Sequence, residues 1–122
     1  MIMRKFIRSF QFAAHGFILA FKRERNMKIH TFFAVAVILF GFYFHISAIE
    51  WTILLLTIGG MISAELMNTA IERTVDLVEE KYHPVAKQAK DIAASACLVY
   101  AVVSILIGCI VFLPKIPFLN GN

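Results

Sequence analysis

The stretch that decides the fold covers residues 51–80 and reads WTILLLTIGGMISAELMNTAIERTVDLVEE. Residues 51–64 are uncharged and mostly apolar, whereas Glu65 begins a series of acids. A helix of this uncharged part alone is only about 21 Å long, which is less than the ~30 Å hydrocarbon core of a bilayer. A membrane-spanning helix must therefore carry Glu65 into the bilayer. We predict a transmembrane helix over residues 51–80 with a cytoplasmic extension.

Two other segments are long and apolar enough to cross a membrane. Residues 92–113 contain no charged side chain, amount to roughly 33 Å of helix, and predict a helix over 86–113. Residues 29–49 are the other candidate. Of the 122 residues, 60% are hydrophobic and the mean hydropathy is +0.77. We therefore predict an all-α integral membrane fold, a single domain over residues 1–122.

The N-terminal segment predicts a different kind of helix. Residues 1–28 alternate basic and apolar side chains without a continuous apolar run, so we expect no cleaved signal peptide. Over residues 4–23 the apolar side chains recur at three- and four-residue spacing, opposite a polar stripe, as in helices that lie in the membrane interface. The apolar face comprises Phe6, Ile7, Phe10, Ala14, Phe17, Ile18 and Phe21.

The placement of positive charge predicts the orientation. Seven of the twelve Lys and Arg residues precede the first span, four lie between the second and third, and one follows the third. The loop around Glu50 has none. By the positive-inside rule, the N-terminus and segment 73–90 are cytoplasmic, and the Glu50 loop and C-terminus are outside. The net charge of +4 then indicates attraction to anionic membrane lipids and not to nucleic acid.

The acids after residue 64 form a stripe. At 100° per residue, six polar side chains lie within about 60° of Glu65 on one helix face. If Trp51 lies at the outer interface, Glu65 is roughly 9 Å inside the hydrocarbon core and Glu72 reaches the cytoplasmic boundary. A carboxyl group held there is suited to exchange a proton, and one at the boundary is suited to bind a hard cation. The stripe comprises Glu65, Asn68, Thr69, Glu72, Asp76 and Glu79.

Each polar cluster also has a structural interpretation. Glu65 could bond to a neighbouring helix, and the later acids could be a solvated helix end. Glu24, the only acid that precedes Glu50, could form a salt bridge with its basic neighbours. Lys87, Lys90 and Asp91 could simply flank a span. Because the predicted topology puts all three clusters on the cytoplasmic face, together they supply carboxylates for a metal and ammonium groups for phosphates, as phosphoryl transfer requires.

Other catalytic patterns are missing from the sequence. It has no phosphate-binding Gly-rich loop, no Cys/His zinc spacing and no Ser/His/Asp set, so a nucleotide would be held by side chains and a metal. His30 is interpreted as an interfacial or hydrogen-bonding residue. Cys97 and Cys109 lie about 18 Å apart on one predicted helix, too far for a disulfide, and are interpreted as packing residues.

Several short stretches resemble one known family, the small bacterial integral-membrane lipid kinases, which include diacylglycerol kinase and undecaprenol kinase. The motif E-x-x-N-[ST]-A-I-E-x-x-x-D is specific in so short a chain, and RNMKIH and NTAIERTVDL favour the undecaprenol kinase branch. The resemblance implies ATP- and Mg²⁺-dependent phosphorylation of a lipid alcohol, undecaprenol before diacylglycerol, in lipid-carrier salvage for cell-wall synthesis. The matching stretches are SFQFAAHG (9–16), ERNMKIH (24–30), ELMNTAIERTVDL (65–77), YHPVAKQAKDIAASA (82–96) and FLPK (112–115).

The same resemblance implies roles for individual residues. It makes Glu65 the residue that binds the lipid hydroxyl and acts as the acid/base catalyst. It makes Glu24 and Glu72 the Mg²⁺ ligands, supported by Asn68 and Asp76. The nucleotide-binding residues that it implies are Glu24, Glu72, Lys81, Tyr82, His83, Lys90 and Asp91.

The resemblance also bears on the lipid substrate, the surface helix and the oligomeric state. A serine of some diacylglycerol kinases is Ala94 here, with Ser95 one place later, which favours a different lipid. Either Lys5 or Arg8 would supply a basic residue of the surface helix near the nucleotide. The resemblance also implies a homotrimer with sites shared between protomers, in the bacterial plasma membrane with the active site on the cytoplasmic side. Polar stripes that face inward are consistent with an oligomer, because neighbouring helices are needed to cover them in the membrane.

Two other classes of function compete with the kinase. In a proton-coupled transporter, Glu65 would carry the proton through an oligomeric pathway. In a non-catalytic assembly protein, it would join helices. The transporter gives no reason for Glu24, Glu72 and Lys90 to gather on one side of the membrane. Transfer of labelled phosphate to a lipid distinguishes the three.

Overall fold

The computed structural model describes residues 1–120 as four α-helices followed by two short 3₁₀-helices. The α-helices are α1 (Ile2–Arg23), α2 (Arg25–Tyr43), α3 (Ala48–Val78) and α4 (Pro84–Phe112), and the 3₁₀-helices are Leu113–Lys115 and Pro117–Asn120. By length and composition, α2, α3 and α4 with its extension to Lys115 can each cross a membrane. The predicted combination of an N-terminal helix and three membrane-spanning helices is confirmed at this level.

The bounds of the helices differ from the predicted ones by up to six residues. The span predicted over 29–49 begins four residues earlier, because only the extended backbone of Glu24 separates it from α1. It ends six residues earlier, at Tyr43, and His45 two residues on has a φ of 51°, which an α-helix does not accommodate. α3 ends at Val78, two residues before the predicted end. α1 and α4 each begin two residues before their predicted starts.

The turn between α2 and α3 defines what we call the hairpin end, residues 41–54 and 111–115. Ser47 and Glu50 form a capping box, in which each side chain accepts a hydrogen bond from the other's backbone N–H. A small apolar core of Ile46, Leu54 and Val111 fills the space behind it. Lys115 Nζ lies 2.6 Å from Glu50 Oε2, so the segment after α4 is tied to the start of α3.

α3 lies between the other helices and packs against α1, α2 and α4. α3 and α4 are in close contact at Gly60, where a Cβ would overlap the Tyr100 side chain, whereas Gly59 faces open space. Tyr100 Oη donates to the Leu56 carbonyl at 3.4 Å. The first part of the polar stripe of α3 is buried, at Glu65, Asn68 and Thr69, whereas Asp76 near its far end is exposed.

α1 leaves most of its apolar face exposed. Phe6, Phe10 and Phe17 are all exposed, and α1 contacts α2 and α3 without covering this face. An exposed row of phenylalanines opposite basic side chains suits a helix that lies in the membrane interface.

Candidate active site at the acidic end of the helices

Glu65 is a buried carboxylate in the middle of the helix assembly. It is 3% exposed, and its Oε1 lies 3.1 Å from His30 Nε2 on α2. Cys97 on α4 interacts with it electrostatically from the opposite side. Because α3 is packed between α2 and α4, the acid that the sequence placed away from water is enclosed by both.

Asn68 lies one turn beyond Glu65 on α3 and is hydrogen-bonded to the next acid, Glu72. Its Nδ2 donates to Glu72 Oε1 at 3.3 Å. Because a carboxylate can only accept, the amide must turn its NH₂ group toward Glu72, which leaves the carbonyl oxygen facing elsewhere. That Oδ1 is buried and, among residues 1–120, has no hydrogen-bond partner. A buried acceptor without a partner costs about 1–3 kcal/mol, so Asn68 is poised for a donor from outside the chain.

Glu24 reaches α3 from the break between α1 and α2. Its Oε1 lies 3.9 Å from Arg73 Nη2, and both side chains are partly exposed. Arg73 follows Glu72 in sequence, so this contact brings the α1–α2 junction to the segment of α3 that carries Glu72. The sequence predicted a role for Glu24 but not its partner.

The start of α4 forms ion pairs with itself and with α3. Lys90 Nζ is paired with Asp76 Oδ1, which ties α4 to the exposed end of α3. Lys87 Nζ lies 2.6 Å from Asp91 Oδ2 on the same helix. Lys90 and Asp91, which are predicted to contact a nucleotide together, are neighbours in the sequence. Their ion-pair partners differ, because Lys90 pairs with Asp76 and Asp91 pairs with Lys87.

A polar cavity of about 350 Å³ lies between the end of α3, the following loop and the start of α4. His83 Nδ1 accepts a hydrogen bond from Val85 N–H and so caps α4, and Tyr82 is 81% exposed. The walls therefore carry both ammonium groups and an aromatic ring. The lining residues are Asp76, Glu79, Glu80, Lys81, Tyr82, His83, Ala86, Lys87 and Lys90.

An apolar groove of about 430 Å³ runs along α3 between α2 and α4. The hydroxyl groups of Thr57 and Ser104 line it but donate to backbone carbonyls of their own helices, each at 2.7 Å. The groove therefore offers almost no polar group along its length. His30 lines the groove and also contacts Glu65, so the two features meet at this residue.

The structure brings the predicted site residues together in two sets. Lys81, Tyr82, His83 and Lys90 line one cavity together with Asp76. Glu65, Asn68 and Glu72 follow one another on α3, and a hydrogen bond links the last two. Glu24 and Asp91 are not in the cavity lining: Glu24 contacts Arg73, and Asp91 contacts Lys87.

The donor set for a metal consists of carboxylates. Across residues 1–120, no three His, Cys, Asp or Glu side chains come close enough to form a metal centre by themselves. In proteins Mg²⁺ is usually held by one or two carboxylates together with substrate phosphates and water. Glu24 and Glu72 are oxygen donors of this type, and the Asn68 hydrogen bond engages one oxygen of Glu72. A cation at these carboxylates would need further ligands from outside the chain.

His30, Arg73 and Cys97 complete the surroundings and were not predicted as site residues. The signal for His30 was the short hairpin that joins antiparallel helices: His30 precedes the turn by nearly as many positions as Glu65 follows it. His30 lies 13 residues before the end of α2 and Glu65 lies 17 residues after the start of α3. The difference of four residues is about 6 Å along a helix, so the two side chains come within about one helical turn of the same level. The partners of Arg73 and Cys97 depend on helix rotation, which the sequence does not give.

Comparison with known proteins places this geometry in a family. The family model described as prokaryotic diacylglycerol kinase matches residues 11–112. An undecaprenol kinase of Bacillus subtilis is 50% identical over 114 residues, 93% of each chain. A diacylglycerol kinase of Synechocystis is 43% identical over 109 residues, 88% of this chain and 62% of the relative. One of Helicobacter pylori is 29% identical over 96 residues, 79% of this chain and 75% of the relative. The chain therefore belongs to the prokaryotic diacylglycerol kinase family.

Proposed function

We propose that this protein is a lipid kinase that transfers the γ-phosphate of ATP to the hydroxyl group of a membrane lipid alcohol, with undecaprenol preferred. The observation that carries the proposal is the buried carboxylate of Glu65, which contacts a histidine that lines the apolar groove and lies on the helix that leads to the polar cavity. An acid in this place can meet a hydroxyl group whose hydrocarbon chain stays in the membrane. The relatives support the proposal because they are named as undecaprenol and diacylglycerol kinases.

The lipid binds with its chain in the groove and its hydroxyl group at Glu65. The groove suits a hydrocarbon chain because Thr57 and Ser104, the hydroxyl-bearing residues of its lining, already donate within their own helices. The chain would be held by contact with apolar side chains of three helices, and the hydroxyl group is the one part of the lipid that needs a polar partner. Asn68 Oδ1, buried and without a donor, can accept a hydrogen bond near the same place.

The nucleotide approaches from the polar cavity. Lys81 and Lys90 line it and can neutralise phosphate charge, and Tyr82 and His83 lie beside them. Lys90 is paired with Asp76, so phosphates would compete with that carboxylate for the ammonium group. Glu24 and Glu72 would hold Mg²⁺, which supplies further charge neutralisation when it is bound. Catalysis then consists mainly of positioning and charge stabilisation.

The phosphoryl transfer requires one base. The lipid oxygen attacks the γ-phosphorus, and the bond from that phosphorus to the β–γ bridging oxygen breaks, so that ADP leaves. The hydroxyl proton passes to the carboxylate of Glu65, which the surrounding helices keep away from water. The product is a lipid phosphate that stays in the membrane.

We also propose a homotrimer of single-domain protomers (residues 1–122) in the plasma membrane, with the N-terminus and the active site cytoplasmic and the C-terminus outside. The positive charges of α1 and of the loop before α4 support this orientation. Support for neighbouring protomers comes from polar groups that one chain leaves uncovered: Asp76 is 61% exposed in its side chain, and Glu24 is 32% exposed. A second protomer at this end would complete the enclosure of the site.

Diacylglycerol is the second candidate substrate, because relatives with that name match most of the chain. The side chains at positions 94 and 95 of α4 favour undecaprenol instead. Ala94 has no hydrogen-bonding group, and Ser95 Oγ donates to the Ile92 carbonyl at 2.6 Å, within its own helix. Ser95 therefore does not replace a serine that would contact a polar lipid headgroup.

The test is transfer of label from [γ-³²P]ATP by the purified protein in mixed micelles that contain undecaprenol and diacylglycerol in competition. Labelled undecaprenyl phosphate in excess over phosphatidic acid is the expected result. Predominant labelling of diacylglycerol would replace the substrate but keep the reaction. Solute flux without any labelled lipid would show a transporter, and neither flux nor label would show an assembly protein.

A further inference from the structure

We infer that His30 is a positioning residue for Glu65: its Nε2–H group donates to Oε1 and holds the carboxylate so that the second oxygen takes the proton of the lipid hydroxyl. This inference rests on the function proposed above. It assigns a role in the reaction to α2, which the sequence treated only as a membrane span.

The contact joins two helices at a fixed point. His30 Nε2 lies 3.1 Å from Glu65 Oε1, and the side chains are 22% and 4% exposed. Met27, one turn earlier on α2, is completely buried, and its carbonyl accepts a hydrogen bond from Thr31 Oγ1 at 2.7 Å. The turn of α2 that carries His30 is therefore anchored in the packing, so the imidazole is held in place.

The chemistry of the two groups sets the direction of the hydrogen bond. An ionised carboxylate accepts only, so Nε2 must carry the proton and, in a neutral imidazole, Nδ1 is the acceptor. A hydrogen bond to a charged group is stronger than one between neutral groups, and more so away from water. The pair is therefore strong enough to restrict rotation of the Glu65 carboxylate.

The other groups that face Glu65 cannot take over this role. The thiol of Cys97, which faces it from α4, is a weak donor. On α3 itself, Asn68 donates to Glu72 instead. His30 is thus the strong donor to this carboxylate among the residues described. It also lines the apolar groove, so the same ring stands where the head of a lipid in the groove would arrive.

The test compares three variants of the full-length protein. His30→Phe keeps a flat ring but removes the donor, and a carboxylate released from its position is expected to lower kcat by about 10- to 100-fold. His30→Gln places an amide N–H near the Nε2 position and is expected to restore kcat to within about five-fold of the parent. The KM for ATP should not change in either. His15→Gln, on exposed α1, is the matched control.

Two kinetic results would overturn the inference. One is a parental kcat in His30→Phe, which would make the donor irrelevant. The other is a His30→Gln variant no more active than His30→Phe although both are folded and inserted, which would mean that the imidazole does more than donate a hydrogen bond. A loss expressed only as a raised KM for ATP would also count against a role at Glu65.

A spectroscopic measurement tests the contact without any turnover. In protein labelled with ¹⁵N-histidine, His30 should show the Nε2–H tautomer, and its Nε2 signal should shift in Glu65→Ala while that of His15 does not. An Nδ1–H tautomer, or a signal indifferent to Glu65, would overturn the inference. If the parent protein labels no lipid at all, the proposed function fails, yet this measurement still decides whether His30 holds Glu65.

Discussion

The two ends of the helix assembly are built on opposite chemical principles. At the hairpin end, Ile46, Leu54 and Val111 form an apolar core, and Glu50 accepts hydrogen bonds from both the α3 cap and Lys115. At the acidic end, residues 65–91 with Glu24, the Glu65 carboxylate is buried, and the Asn68 carbonyl oxygen has no donor within residues 1–120. The first end satisfies its own polar groups. The second keeps polar groups that call for a ligand.

The difference teaches where stability and function reside in a chain this small. Apart from the left-handed backbone of His45, the hairpin end follows local rules of stability, such as the capping box and the packing of Phe44 on Phe112, with ring centroids 6.0 Å apart. Buried polar groups such as Glu65 and Asn68 cost stability, and proteins keep such groups mainly at functional sites. Changes at the hairpin end should therefore alter stability, and changes at the acidic end should alter turnover.

The largest effect is expected for Glu65→Gln. The shape of the side chain is kept but the proton acceptor is lost, so lipid phosphorylation should fall by about 10²- to 10⁴-fold, while membrane insertion is unchanged. The measurement is incorporation of ³²P into lipid by purified protein. Glu50→Gln at the hairpin end is the matched control and should keep full activity. Full activity of Glu65→Gln would exclude the acid/base role.

A smaller effect on turnover is expected for Glu72→Gln. Removal of one carboxylate charge should raise the Mg²⁺ concentration required for half-maximal activity about tenfold or more, or abolish nucleotide binding, because Mg²⁺ prefers charged oxygen ligands. A Mg²⁺ titration at saturating ATP measures this. Glu50→Gln, which removes a carboxylate charge at the hairpin end, separates the loss of a metal ligand from a general loss of negative charge. An unchanged titration of Glu72→Gln would count against this site.

At the hairpin end, Gly41→Ala should change stability and not chemistry. The added Cβ would lie 2.7 Å from Cη2 of the Trp51 ring, so the aromatic packing must shift. Overpacking of this kind costs about 1–3 kcal/mol. Unfolding in a denaturing detergent measures the loss, and activity per folded molecule should stay at the parental value. Gly59→Ala, which meets nothing within 4 Å, is the control and should be stable. Equal stability of the two variants would contradict the packing account.

The smallest effect is expected for Lys115→Met. It removes the ion pair with Glu50, but Ser47 N–H still donates to that carboxylate, and the methionine keeps apolar contact. The midpoint of unfolding should fall by less than in Gly41→Ala, with unchanged kcat and KM. A loss of turnover in Lys115→Met would contradict the assignment of stability to the hairpin end and of turnover to the acidic end.

The sequence predicted the fold well because its signals are long and repeated. Apolar runs of membrane-spanning length and the periodicity of residues 4–23 depend on the environment of the whole helix and not on single contacts. It misplaced the end of α2 because residues 44–49 remain apolar although the chain turns there. The turn depends on His45 and its left-handed backbone, a local feature that hydropathy does not record.

From the sequence one could single out candidate residues for the site, but not the way in which their side chains pair. Glu65 was identifiable from its depth, since an acid must have a reason to lie inside a bilayer. The pairing of Lys90 with Asp76 and of Lys87 with Asp91 depends on the rotation of α4 relative to α3, which no sequence spacing specifies. To predict the role of His30 from the sequence, one would have needed to combine the length of the hairpin with the depth of Glu65. The roles of these residues remain proposals that the variants above test.

The most direct test of the acidic end as the place where the lipid alcohol reacts is photolabelling with an undecaprenol analogue that carries a diazirine beside its hydroxyl group. Peptides of the labelled protein would be identified by mass spectrometry, with unlabelled undecaprenol as competitor. Label on α3 around Glu65 and on α2 around His30, removed by the competitor, is the predicted result. Competed label at Trp51 or Lys115, at the hairpin end, would contradict it.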